Sequence, residues 1–513
     1  MANKKTYFHS FKLAALALVL SQFSPMLFAG EKENQIIEKT LNAYGGEKLL
    51  QLQSLRYTDN IQHFFEMQSG HALQGPMMAH LNSYKIEVTL DLANSRSEYK
   101  RAATHVIGNH GSENITTTHR IFDGNQGYSV DHYLQNYQLR DNINYNNTDI
   151  GYSQMLDTLI IKQLALEKNN SQWVDTAVIQ GQVHDVLTIK SGTDAEYSLY
   201  LNQDNGYLTR MLKKRGQQLR SYDFLDHQKT QGITWAKQMY VSTGSQPTYY
   251  TNSRKLSVNL AENLTFNLPP TYQKQSQAQY FDGSPLAIRQ LAQGVYFVGQ
   301  NWGYTLFIDA GDHYVSAGAW GPENNSKSWQ QGLALLNKTT GNNKKVTQHL
   351  VTHHHTDHMS ALNNIIELGI KLIMPSSVIP AVNAHLQQKL TDKQIVSVTE
   401  NTALANGKVM LIDVPTSHAS HNLVIYLPEH KLLFSEDIFG SSYQSELESP
   451  NSWPSLDTYQ RLKKLTNKLK QFNLPVEHYV SSHHGRILSQ QDINKALSIS
   501  STTQEELTTR LFP

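Results

Sequence analysis

The sequence predicts two folded parts of different class, an antiparallel β-rich domain followed by an α/β domain. Its 513 residues exceed what one ordinary hydrophobic core organises. Up to residue 268 apolar and polar residues alternate with the two-residue period of half-buried strands. After residue 286 strands alternate with helices, the pattern of a layered α/β structure. Hydrophobic residues make up 39% and charged residues 17% of the chain, which excludes a disordered polymer for either half.

The first 29 residues read as an export leader. Lys4, Lys5 and Lys12 precede the apolar run Leu13 to Leu20, and Leu27-Phe28-Ala29 offers a cleavage point at Ala29 or Gly30. An uncleaved anchor is the alternative, but the run is shorter than the roughly 20 apolar residues that span a bilayer. The expectation is therefore a periplasmic or secreted protein with no stable membrane insertion after cleavage. Losing three lysines with the leader turns the formal charge of +1 slightly negative, so no basic footprint for nucleic acid remains. The absence of cysteine excludes disulfides, thiolate metal sites, cysteine nucleophiles and a lipid-accepting cysteine. Any metal must be held by nitrogen and oxygen.

In the predicted N-terminal domain, residues 30 to 270, Ile36, Ile37, Leu41 and Tyr44 share a helical face, and Gly45-Gly46 ends the helix. Tyr84 to Leu90 alternates as a strand, while Met155, Leu156, Leu159 and Ile160 mark a helix inserted among strands. From Val186 to Leu268 strands dominate, with Asn205-Gly206 as a hairpin turn between Tyr197–Leu201 and Tyr207–Met211. Residues 271 to 285 read as a linker. A helix ending in Tyr-Gly-Gly at the entry to a sheet resembles the half-barrel of periplasmic lipoprotein carriers (LolA-like domains). That resemblance implies a concave apolar face for a lipid or other hydrophobic molecule; a scaffold or dimerisation role is the equal alternative.

In the predicted C-terminal domain, residues 286 to 500 before a tail at 501 to 513, Gly294–Val298 and Tyr304–Ile308 read as paired strands and Trp329 to Asn337 as a helix. The segment that carries chemistry is His353-His354-His355-Thr356-Asp357-His358. It lies between the strand Val346–Val351 and a helix bearing Leu362, Ile365 and Ile366. Histidines at positions 1, 3 and 6 with an aspartate at 5 provide nitrogen and oxygen ligands for two ions in one rigidly anchored loop. Zinc takes about four ligands, so partners must come from elsewhere. His418 follows the strand Val409–Val414, Asp437 follows the apolar hairpin Leu423 to Phe434, and His484 follows Tyr479-Val480. Each of these ends a strand. His354, His421 and His483 read as supporting or exposed, and His313, His349, His385, His430 and His478 as surface or structural.

The order H-x-H-x-D-H, lone histidine, aspartate after an apolar hairpin, then histidine-glycine resembles the metallo-β-lactamase superfamily across residues 286 to 500. The run from His418 to Glu429 is especially similar to its third motif. The resemblance implies a four-layer αββα sandwich with the site along one edge. It also implies that His353, His355 and His418 hold one metal, that Asp357, His358 and His484 hold a second, and that Asp437 bridges them. Asp357 would in addition orient the attacking water or take its proton. Relatives usually place an aspartate beneath the metal loop at the end of an early strand. Here Tyr314 to Trp320 has no carboxylate, which is expected to loosen the site. Glu436, where relatives have a small residue, either supports the site or faces solvent.

Two ions about 3.5–4 Å apart lower the pKa of a shared water, so the expected activity is hydrolysis by two zinc ions of an ester, lactone, lactam or related bond in a small or amphipathic substrate. The same ligands accept iron, which leaves a redox enzyme as an alternative. A binding protein with a catalytically silent metal domain is another, motivated by the missing aspartate.

Overall fold

The protein is described from a computed structural model that covers residues 30–107, 115–145, 156–190, 196–215, 218–260, 264–275, 285–300, 303–319, 327–439, 456–483, 487–498 and 502–513. The leader, most of the expected linker and His484 lie outside these residues.

Two antiparallel meanders lie side by side in one 14-stranded sheet. The first begins with β1 (Ser54–Gln68) and β2 (Met77–Asp91); the second ends with the strand Gln246–Val258, which pairs with β1 and closes the seam. Asn205-Gly206 lies in the turn between Glu196–Asn202 and Leu208–Arg215, with Gly206 at φ +75°. The helices Glu31–Tyr44 and Asp157–Leu166 pack on one face of the sheet, where Ile37, Tyr44, Ile161 and Leu164 join Leu55, Val88, Leu199, Phe224 and Met239 in a single core. The apolar face is thus covered by the chain's own helices. Gly45 shows why the first helix stops there: it sits at φ +119°, and a Cβ would meet the Gly232 carbonyl at 2.7 Å. Within this core Arg254 and Asp59 form a fully buried two-bonded ion pair at 2.8 and 2.7 Å.

The C-terminal half is an αββα sandwich, and its three apolar cores define the layers. A seven-stranded sheet and a five-stranded sheet face each other, with Phe297, Leu306, Val315 and Leu350 of the first interleaving with Leu411, Ile425, Leu432 and Phe434 of the second. Trp329, Leu336, Leu362, Ile365 and Val382 cover the outer face of the larger sheet, and Leu462, Leu465, Leu469 and Ile493 that of the smaller. The expected strand pair is present as Val295–Gln300 with Gly303–Asp309, and the expected helix as Ser328–Thr340. Residues read as a C-terminal tail include a capped helix, Gln504–Leu511, that returns to the N-terminal sheet; Arg510 donates to the His132 carbonyl at 3.0 Å. Among the described residues no helix is long and apolar enough to cross a membrane.

Burial has a pH consequence. His132 and His349 are pushed from the ordinary 6.5 down to about 3, chiefly by desolvation, so both are neutral in the fold at pH 5. The unfolded chain protonates each below 6.5, so stability falls as pH drops from there towards 3, by about 1.4 kcal/mol per group per pH unit. Urea midpoints should decline from pH 6.5 to pH 4, and the decline should be shallower in His349→Gln; an equal slope in the variant would contradict this origin.

Candidate metal centre

Four strand ends build the site. The strand Val346–Leu350 lies parallel between Tyr314–Ala317 and Lys371–Met374, and the chain leaves its end into residues 351 to 358. The expected helix after this loop begins only at Leu362; before it, a single 3₁₀ turn, Thr356–His358, swings Asp357 and His358 inward. His418 lies in the loop between the paired strands Val409–Asp413 and Leu423–Leu427. Asp437 and His483 follow the parallel strands Leu432–Phe434 and His478–Val480.

These ends bring two groups of ligand atoms together, each within 4.8 Å: His353, His355, His418 and Asp437 in one, Asp357, His358, Asp437 and His483 in the other. Asp437 is common to both. Its Oδ2 stands 2.8 Å from His358 Nε2, 3.2 Å from His418 Nε2 and 3.7 Å from His353 Nε2, and its Oδ1 stands 3.0 Å from His483 Nε2. The donor set suits metal. Two nitrogens bound about 2.0–2.1 Å from one tetrahedral ion stand roughly 3.3 Å apart, and His353 Nε2 and His418 Nε2 stand 3.2 Å apart. Every donor is nitrogen or carboxylate oxygen, so the set fits zinc and iron alike.

Electrostatics point the same way. Burial opposes charge on His358, but Asp357, Asp437 and Glu436 outweigh it and raise its pKa well above the ordinary value. Burial likewise opposes ionisation of Asp437 and Asp357, yet His358 and its neighbours hold both carboxyls well below their usual range. His353 and His418 are kept neutral chiefly by burial, ready to donate lone pairs. Three carboxylates around one imidazole attract a cation, and a metal would displace the proton.

The expected ligands His353, His355, Asp357, His358, His418 and Asp437 meet here, whereas His484 lies outside the described residues. His483, expected to be supporting or exposed, instead faces Asp437. A backbone bridge between Gly303 and His483 pins its register, a pairing with a residue 180 positions earlier that no local pattern announces. Further residues escaped sequence reasoning. Ser482 Oγ donates to Asp437 Oδ1 at 2.9 Å, Ser481 Oγ to the Glu436 carbonyl at 2.7 Å, and Arg461 Nη1 to the Asp437 carbonyl at 3.0 Å. The pair Ser481-Ser482 before the histidines was the available signal. His354 belongs to neither ligand group, its Nε2 lying 2.7 Å from the Ser69 carbonyl, and His421 bridges Asp413 and Ser377 at 2.7 Å each.

Glu436 is buried rather than solvent-facing. Its Oε1 stands 2.5 Å from His358 Nδ1, and it adopts φ +50°. Gly318, at the end of the early strand where a carboxylate was missing, has φ +75°, and a Cβ there would come within 3.2 Å of the Glu436 carboxylate. A carboxylate therefore does lie against that strand end, supplied from the loop that carries Asp437.

Residues 325–497 match the family described as ODP family beta lactamase. The chain is 23% identical over 152 residues to the anaerobic nitric oxide reductase flavorubredoxin of Klebsiella pneumoniae subsp. pneumoniae; the match takes in 26% of this chain and about a third, 32%, of that protein. Among solved structures, DIM-1 metallo-beta-lactamase is similar over 42% of this chain and 96% of its own, at 14% identity and a TM-score of 0.33. The rubredoxin oxygen:oxidoreductase of the anaerobe Desulfovibrio gigas is similar over 43% and 62%, at 16% identity and a TM-score of 0.35.

Proposed function

We propose that the C-terminal region, of metallo-β-lactamase type by its family match and its motifs, makes this protein an exported hydrolase holding two zinc ions. The observation that carries the reading is the Asp437 carboxylate shared by two ligand groups. His353, His355 and His418 would hold one ion, and Asp357, His358 and a histidine of the 483–484 pair the other. Two ions bridged in this way would supply an activated water and polarise the bond to be cut. Asp357 is held ionised at neutral pH, with Oδ2 turned to His358 at 3.3 Å, so it can bind the second ion and accept a hydrogen bond that orients a water.

An amphipathic substrate with an ester, lactone, lactam or related bond suits the surroundings. Met77 pairs in register with Gln68, whose side chain reaches Asp357, and Phe64, Met67 and Leu73 are also exposed along the same hairpin. Export rests on the leader pattern within residues 1 to 29. Iron-based redox chemistry is the second reading, favoured by the flavorubredoxin match.

Plasma mass spectrometry of the purified protein, paired with a screen of esters, lactones, lactams, thioesters and phosphodiesters, separates the readings. Close to two zinc ions per chain with turnover in the screen is expected. Iron as the dominant metal would move the assignment to redox chemistry, and no metal under replete conditions would remove both.

A further inference from the structure

The turn joining β1 to β2 belongs to the N-terminal sheet but ends inside the other half. Ser69 is fully buried and Ala72 nearly so, the latter within the core formed by Met374, Val378, Ala381 and Val382. The Gly70 carbonyl accepts from Ser420 N at 2.8 Å, and Ser420 Oγ accepts from Ala72 N at 3.2 Å, which ties the turn to the loop carrying His418.

On the metal loop the contacts fall on the ligands themselves. Gln68 Nε2 donates to Asp357 Oδ1 at 2.6 Å and to Thr356 Oγ1 at 3.2 Å, leaving Oδ2 turned towards His358. The Ser69 carbonyl faces His354 Nε2 at 2.7 Å and His355 Nε2 at 2.9 Å. A carbonyl only accepts, so both imidazoles carry their hydrogen on Nε2, and His355 keeps Nδ1 as its donor to a metal. The turn is itself braced. Ser69 N donates to the Pro76 carbonyl at 3.1 Å, and the Gln68 carbonyl accepts from His80 Nε2 at 3.0 Å.

We infer that this turn is a built part of the metal centre, with Gln68 a positioning residue for Asp357 and the Ser69 carbonyl one for His355. The N-terminal domain thereby sets the affinity of the C-terminal site. The inference rests on the two-metal reading. Partners that orient a metal ligand typically change affinity 10–100-fold when removed. Because Gln68 touches only the group containing Asp357, its loss should weaken one ion selectively, which a general destabilisation would not do.

The test is chelator competition with zinc, together with cobalt(II) titration followed by visible absorption, on the full chain. The variants are Gln68→Leu, Gln68→Glu and, as a control on the exposed part of the turn, Gln74→Ser. The expected result is a tenfold or greater loss of affinity for one of two ions and an altered cobalt spectrum in both Gln68 variants, with Gln74→Ser like the parent. The glutamate variant repels Asp357 at unchanged size, so it carries the prediction if the leucine variant does not fold. Two ions bound by the parent with unchanged affinity and spectrum in the Gln68 variants would overturn the inference alone. Equal weakening of both ions would reduce the turn to scaffold and overturn it too. No ion bound by the parent would overturn the inference and the two-metal reading together.

Discussion

Asp437→Ala is expected to lose both metal ions, whereas His353→Ala loses mainly one. The carboxylate is the only donor common to the two ligand groups of the described residues, with one oxygen 2.8 Å from His358 Nε2 and the other 3.0 Å from His483 Nε2. Removing it also leaves Ser482 Oγ without its acceptor and His358 without one of its counter-charges. Plasma mass spectrometry after dialysis should find close to two ions in the parent, about one in His353→Ala and almost none in Asp437→Ala. Thermal melting provides an independent check. A ligand that binds only the folded state at a thousand times its dissociation constant adds about 4 kcal/mol. The parent should therefore melt higher with added zinc and Asp437→Ala should not; an equal zinc-induced shift in both would refute a shared bridging carboxylate.

Glu436→Ala should lower metal affinity by 10–100-fold, the usual effect of removing a carboxylate that orients a histidine ligand. Burial raises the Glu436 pKa and the His358 charge opposes that rise, so this carboxyl depends on its partner as much as the imidazole depends on it. Glu436→Gln, similar in size and uncharged, should recover the packing and only part of the affinity. The double variant Gly318→Asp, Glu436→Gly moves the carboxylate back to the early strand. Glycine would relieve the positive φ at 436, and aspartate tolerates the left-handed backbone at 318 better than most residues. Its affinity should exceed that of Glu436→Ala. If the single and double variants bind metal like the parent, the carboxylate has no part in the site.

Much of the architecture was legible because its signals are local. The alternation of Tyr84 to Leu90 reports one buried face, and it lies within β2. The hairpin at Asn205-Gly206 and the strand ends at Leu350, Asp413 and Phe434 were marked by turn residues and apolar runs. The closure of the 14-stranded sheet by Gln246–Val258 against β1 was not legible, because pairing between segments nearly 200 residues apart has no period of its own. The packing of two helices into the core on one face of the N-terminal sheet is likewise a tertiary arrangement.

By itself the sequence determined the kinds of ligand, their order along the chain and their place after strands, since backbone propensity and side-chain chemistry act over a few residues. Tertiary structure brought His483 to Asp437, with its register set by the Gly303 bridge. It also decided that a carboxylate lies against the end of the early strand, supplied by Glu436, where a Cβ at Gly318 would come within 3.2 Å of it. And it brought Gln68 to Asp357, 289 residues away. These three outcomes share a physical cause. Most polar groups enclosed in a buried site find a partner, and the partners are those that packing brings within about 3 Å, whatever their separation in sequence.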